Sequence, residues 1–122
     1  MNMAIKPIIT NKGVFLRGYY KSALYIYNYA YSFIKHHNDP VYFIGHSMGA
    51  SVSTVLHCIS SFDFGNQKDI NTITFAPVPA ISEILNKTYG NKIITIINSD
   101  DIVPTISIPN IYNFLKKKVN KC

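Results

Sequence analysis

One serine in this chain stands in a setting that could serve covalent chemistry. Gly45-His46-Ser47-Met48-Gly49-Ala50 reads G-x-S-x-G. The motif falls between a short apolar run, Val41 to Ile44, and a longer stretch of small and apolar residues, Ser47 to Ser60. A serine on a sharp strand-to-helix turn is held in strained backbone geometry with its hydroxyl exposed, ready to act as a nucleophile. Only residues without side chains are expected two positions before and two after it, and Gly45 and Gly49 meet that requirement. The N–H of Met48, at the helix N-terminus, can donate to a developing oxyanion, helped by the helix dipole. A glycine-rich turn that merely closes a strand would lack the strand and helix patterns on either side.

A second candidate lies in Ser99-Asp100-Asp101-Ile102-Val103-Pro104. A carboxylate at the carboxyl end of a later strand can orient a histidine and stabilise the imidazolium that forms. Alone, such a carboxylate is more readily a turn or N-cap residue ahead of proline. Beside the serine turn, the acid reading is preferred. Spacing by itself leaves Asp100 and Asp101 both open.

The elements that must position these residues alternate along the chain. Tyr19 to Lys35 is aromatic and apolar without Gly or Pro and predicts a helix, broken by Asn38, Asp39 and Pro40. Val41 to Ile44 suits a short buried parallel strand. Ser47 to Ser60 predicts a helix, and Asp63 to Lys68 a polar turn. Ile70 to Phe75 predicts a second strand, closed by Pro77 and Pro79, and Ile81 to Thr88 a short helix ended by Gly90. Lys92 to Asn98 is Ile-rich and predicts a third strand buried on both faces. Ile108 to Val119 predicts a last helix with a basic exposed side. Alternation of this kind predicts an α/β fold: a three-stranded parallel sheet flanked by helices. Right-handed crossovers are expected to put helices on both faces, with the ligand beyond the carboxyl ends of the strands. Strand ends near Ile44, Phe75 and Ile97 would bring Ser47 and the Asp100–Asp101 turn to one edge.

Composition bounds the rest. The 122 residues make one domain, 1–122, and 48% hydrophobic against 15% charged residues supply a core. Disordered, collagen-like and disulfide-scaffold classes are excluded. No apolar run reaches the ~18 residues of a membrane span. Met1 to Lys12 lacks a secretory apolar stretch, so the cytoplasm is the default compartment. Cys58 and Cys122 give no metal spacing, and no metal or cofactor is expected. Cys58 reads as a buried filler. The net charge of +6 raises nucleic acid or an anionic surface. No nucleic-acid-binding motif accompanies it, and the abundance of Asn, Lys, Ile and Tyr fits a bias toward A- and T-rich codons. The tyrosines of the first helix read as core plus amphipathic rim.

Val41 to Leu56, VYFIGHSMGASVSTVL, resembles the nucleophile region of the class 3 lipases. Thr74 to Ser82, TFAPVPAIS, and Ile93 to Lys118 resemble the segment after the next strand and the acid region of their diacylglycerol lipase-like branch. Phe15 to Ala23, FLRGYYKSA, is similar to the family's V-H-x-G-F segment, with Leu16 where that histidine would stand. The resemblance implies a partial α/β-hydrolase core, with Ser47 as nucleophile and Met48 N–H as an oxyanion donor. It also implies Asp101 as triad acid, because the family's acid directly precedes the hydrophobic pair and proline. The implied reaction is hydrolysis of acylglycerols or other acyl esters through an acyl-serine. Implied partners are that substrate and a membrane surface; open sheet edges add self-association.

Two departures qualify that expectation. The family's catalytic histidine follows the acid, and no histidine follows Asp101 here. An upstream strand that completes the family's oxyanion hole is not among these residues. None of the four histidines replaces the base. His46 leaves its strand on the opposite face, His57 is about 15 Å along the helix, and His36 and His37 belong to the far end of the strand. The chain is therefore expected to be incomplete as a catalyst. Other readings are a non-catalytic, lipid-binding relic, a fragment of a longer lipase, or a chain completed by a second one.

Overall fold

The computed structural model describes residues 6–97. The chain opens with an antiparallel hairpin, β1 (Pro7–Thr10) and β2 (Gly13–Leu16), followed by the helix α1 (Arg17–His36). Then come β3 (Val41–His46), α2 (Met48–Phe64), β4 (Ile70–Phe75), α3 (Glu83–Tyr89) and β5 (Ile93–Ile96). β3, β4 and β5 form a three-stranded sheet in that order, and both pairings are parallel. The strands end close to their expected positions. The expected helix at Ile108 to Val119 and the Asp100–Asp101 turn lie outside the described residues.

The hairpin is an element the residue pattern did not suggest. Its strands are only four residues long, and one contains Pro7. It is stabilised from far along the chain: Leu16 N–H donates to Ala80 O at 3.0 Å, Ser82 N–H to Val14 O at 2.9 Å, and Val14 N–H to Ser82 Oγ at 3.0 Å. Phe15 is fully buried there, against Tyr20 and Phe62.

The sheet corrects the expectation of strands buried on both faces. Along β3 and β5 burial alternates: Tyr42, Ile44, Ile94 and Ile96 are exposed, while Val41, Phe43, Ile93 and Thr95 are partly covered. In β4, Ile70, Thr72 and Thr74 are buried and Phe75 is exposed. The strand order explains this. Strands laid down in one direction by right-handed crossovers receive every crossover helix on the same side. Among the described residues, the helices share one core with that side: Ala23, Tyr27 and Ile34 of α1, Val55, Leu56 and Ile59 of α2, and Leu85 of α3. Burial of these side chains contributes about 1.5–3 kcal/mol for each large one. The expectation of helices on both faces is therefore not met within residues 6–97.

Candidate active site

Ser47 sits between β3 and α2 at φ 55°, ψ −118°, a left-handed backbone that non-glycine residues rarely adopt. Neighbouring hydrogen bonds hold it there. Ser47 N–H donates to Phe75 O at 2.9 Å, extending the β3–β4 ladder by one residue. Its carbonyl accepts from Ala50 N–H at 3.1 Å and Ser51 N–H at 3.2 Å, closing the first turn of α2. Met48 and Gly49 are the first helical residues, and their N–H groups have no carbonyl a turn behind them. Met48 N–H is thus the helix-start donor adjacent to Ser47.

The two glycines differ. A Cβ on Gly45 would run into the carbonyl of Gly49 and the Ser53 hydroxyl, so the helix can start this close to β3 only because Gly45 has none. Among the described residues a Cβ on Gly49 meets nothing within 4 Å. Of the two positions expected to demand glycine, only Gly45 is crowded by described atoms.

The turn after β4 supports the same edge. Ala76 also has a positive φ, 51°, and its N–H donates to Ile96 O at 3.0 Å. The buried Ser51 hydroxyl donates to Val78 O at 2.6 Å and accepts from Val78 N–H at 2.9 Å. A side chain of α2 thereby fastens this segment beside the serine.

The histidines stand as follows. His46 ends β3 on the exposed face, with Tyr42 and Ile44. His57 is buried, its Nδ1 lies 2.8 Å from Thr72 Oγ1, and its ring meets the edge of Tyr89. Desolvation, with a smaller effect from Lys92, lowers its pKa to about 4. His36 and His37 lie at the end of α1, their Nδ1 atoms 2.7 Å from the carbonyls of Ser32 and Phe33. Cys58 is buried, which pushes its thiol up to about 12 and makes it a packing residue. Among the described residues no cluster of three or more His, Cys, Asp or Glu could hold a metal. Asp101 lies outside the described residues.

A sequence model of the family described as Lipase (class 3) matches residues 7–111. The chain belongs to the class 3 lipase family. A serine nucleophile is expected in that family, and the G-x-S-x-G turn at Gly45 to Gly49 lies within the matched residues. The fold agrees: the crystal structure of a lipase from Rhizopus microsporus var. chinensis is similar, with a TM-score of 0.67 at 10% identity over 89% of this chain. The chain spans 42% of that lipase. No curated protein matches the chain.

Proposed function

We propose that Ser47 is the nucleophile of an acyl-ester hydrolase acting on acylglycerols or related esters. Its oxygen would bond to the acyl carbon, its proton would pass to a base and then to the departing alcohol, and water would release the acid. The observation that carries this reading is the strained backbone of Ser47 between β3 and α2, with Met48 N–H beside it. Asp101 is proposed as the acid that orients the base.

The base is proposed to be missing from these residues. His57 is enclosed by Thr72 and Tyr89, and His36 and His37 belong to the C-terminal end of α1. A serine without a base retains only the residual ~10³–10⁴-fold catalysis of oxyanion hole and binding. This chain alone should hydrolyse p-nitrophenyl esters scarcely above background and label slowly with a fluorophosphonate, with Ser47→Ala changing the rate little. A longer version with an in-frame histidine after Asp101 should hydrolyse them readily, and lose most of the rate in Ser47→Ala or Asp101→Asn. Rapid, Ser47-dependent turnover by the 122-residue chain would overturn the incomplete-catalyst reading. Absence of turnover in the longer version would favour a lipid-binding relic.

The same proposal includes two contacts. Exposed aromatic side chains on α1 would meet a lipid surface. The edge of β5 away from β4, where no described strand lies, with Ile94 and Ile96 exposed beside it, would bring two copies together.

A further inference from the structure

Three hydroxyl side chains stand close together near the start of α2: Ser51, Ser53 and Thr54. A serine or threonine inside a helix commonly gives its proton to the carbonyl one turn back. Ser53 Oγ does so to Gly49 O at 2.8 Å, and Thr54 Oγ1 to Ala50 O at 3.0 Å. Ser51 departs from this pattern. Its corresponding carbonyl, Ser47 O, lies 3.5 Å from Oγ, at the far limit of a hydrogen bond. Its short contacts leave the helix: Oγ donates to Val78 O at 2.6 Å and accepts from Val78 N–H at 2.9 Å. Val78 stands between Pro77 and Pro79, neither of which has an N–H to give. The nearest backbone ties are Ala76 N–H to Ile96 O on one side and Leu16 N–H to Ala80 O on the other, both at 3.0 Å. Among the described residues, Ser51 is the side chain that holds the stretch between them. That stretch starts just beyond Phe75, whose carbonyl accepts from Ser47 N–H at 2.9 Å, so it borders the serine turn directly.

We propose that Ser51 is a positioning residue for the chemistry at Ser47: its hydroxyl pins residues 76–79 against the serine turn and so fixes the space a substrate finds beside Ser47. The proposal rests on the reading of Ser47 as nucleophile. Ser51 is fully buried, so it acts through the segment it holds and not by touching substrate. Its place in the sequence suits the task. Helical side chains lean toward the helix N-terminus, so the residue four after Ser47 lies over the serine's own carbonyl. A hydroxyl there can give one hydrogen bond and take another, which is what the C=O and N–H of one residue require. Alanine would do neither, and with prolines on both sides of Val78 no neighbouring N–H could take over the tie.

Two measurements on the full chain test this. With isotope-labelled valine, the Val78 amide should exchange in heavy water far more slowly than an exposed amide. Ser51→Ala should bring it to the exposed rate, and Ser51→Thr, which keeps the hydroxyl, should hold it slow. The second measurement is the labelling rate of Ser47, whose Oγ displaces fluoride from phosphorus; intact mass follows it even when labelling takes hours. Diisopropyl fluorophosphate is branched on both arms, whereas a fluorophosphonate with one linear alkyl chain is slender. A released segment admits the branched reagent more easily, so the linear-to-branched rate ratio should fall about tenfold in Ser51→Ala and recover in Ser51→Thr. Ser51→Cys, a weak donor and acceptor, takes the place of Ser51→Ala where circular dichroism shows the latter unfolded. A merely structural role would slow both reagents together and leave the ratio where it was. A fast-exchanging Val78 amide in the unaltered chain, or a ratio unchanged or raised in the folded variant, would overturn the positioning role while Ser47 remains the labelled residue. Failure of both reagents to label Ser47, here and in the longer version, would instead remove the nucleophile, and the role of Ser51 with it.

Discussion

His57 illustrates how much a single buried side chain can set. Its folded pKa is lowered to about 4 from an ordinary 6.5, chiefly by desolvation and then by Lys92. The unfolded chain therefore binds more protons than the folded one between those values. Stability is complete above about pH 6.5 and falls as pH drops toward 4, by about 3 kcal/mol in all. Urea unfolding at pH 7 and at pH 4.5 should show this loss, and His57→Gln should flatten that part of the profile. An equally steep profile in His57→Gln would assign the acid sensitivity elsewhere. At this same scale, the strand-to-helix turn at Ser47 was readable from type and spacing because it imposes a steric rule at Gly45. That no described residue crowds Gly49 was not readable, since it depends on what stands beside β3 in three dimensions.

At the scale of the element, α1 has two aromatic characters. Tyr27 is buried, and its hydroxyl donates to Asp63 Oδ2 at 2.7 Å; desolvation and that contact raise its pKa. Tyr25, Tyr29 and Phe33 are 66%, 74% and 62% exposed, four residues apart, and form one row on the helix surface. Tyrosine, with an apolar ring and a polar tip, is suited to a membrane–water boundary. The chain should float with vesicles of neutral and anionic phospholipid, and Tyr25→Ser/Tyr29→Ser/Phe33→Ser should remain at the bottom of the gradient. Equal flotation of the variant would remove α1 from the lipid contact. The run Tyr19 to Lys35 announced this helix because it lacks Gly and Pro; the helix also takes in Arg17 and Gly18. β3, β4 and β5 were legible as short apolar runs. Their one-sided burial was not, because an apolar run does not say which neighbours lie on each face. The hairpin was hidden because Ala80, Ile81 and Ser82 complete it from far along the chain.

At the scale of the molecule, the sheet face that no described helix covers is the surface proposed for self-association. Tyr42, Ile44, Phe75, Ile94 and Ile96 are 57%, 62%, 37%, 60% and 47% exposed, a patch of the kind that marks an interaction surface. Sedimentation velocity should show species above the 13.8 kDa monomer, and Ile94→Lys/Ile96→Lys should shift them toward it. A clean monomer at high concentration would remove the self-association proposal. The hairpin carries a different consequence, in time rather than space. Val14 and Ser82, which it joins, are 68 residues apart. At a synthesis rate of about 5–20 residues per second, roughly 3–14 s separate their emergence from the ribosome. Phe15 therefore lacks its Ile81 neighbour throughout that interval, leaving an unfinished hydrophobic surface for a chaperone to recognise on the nascent chain.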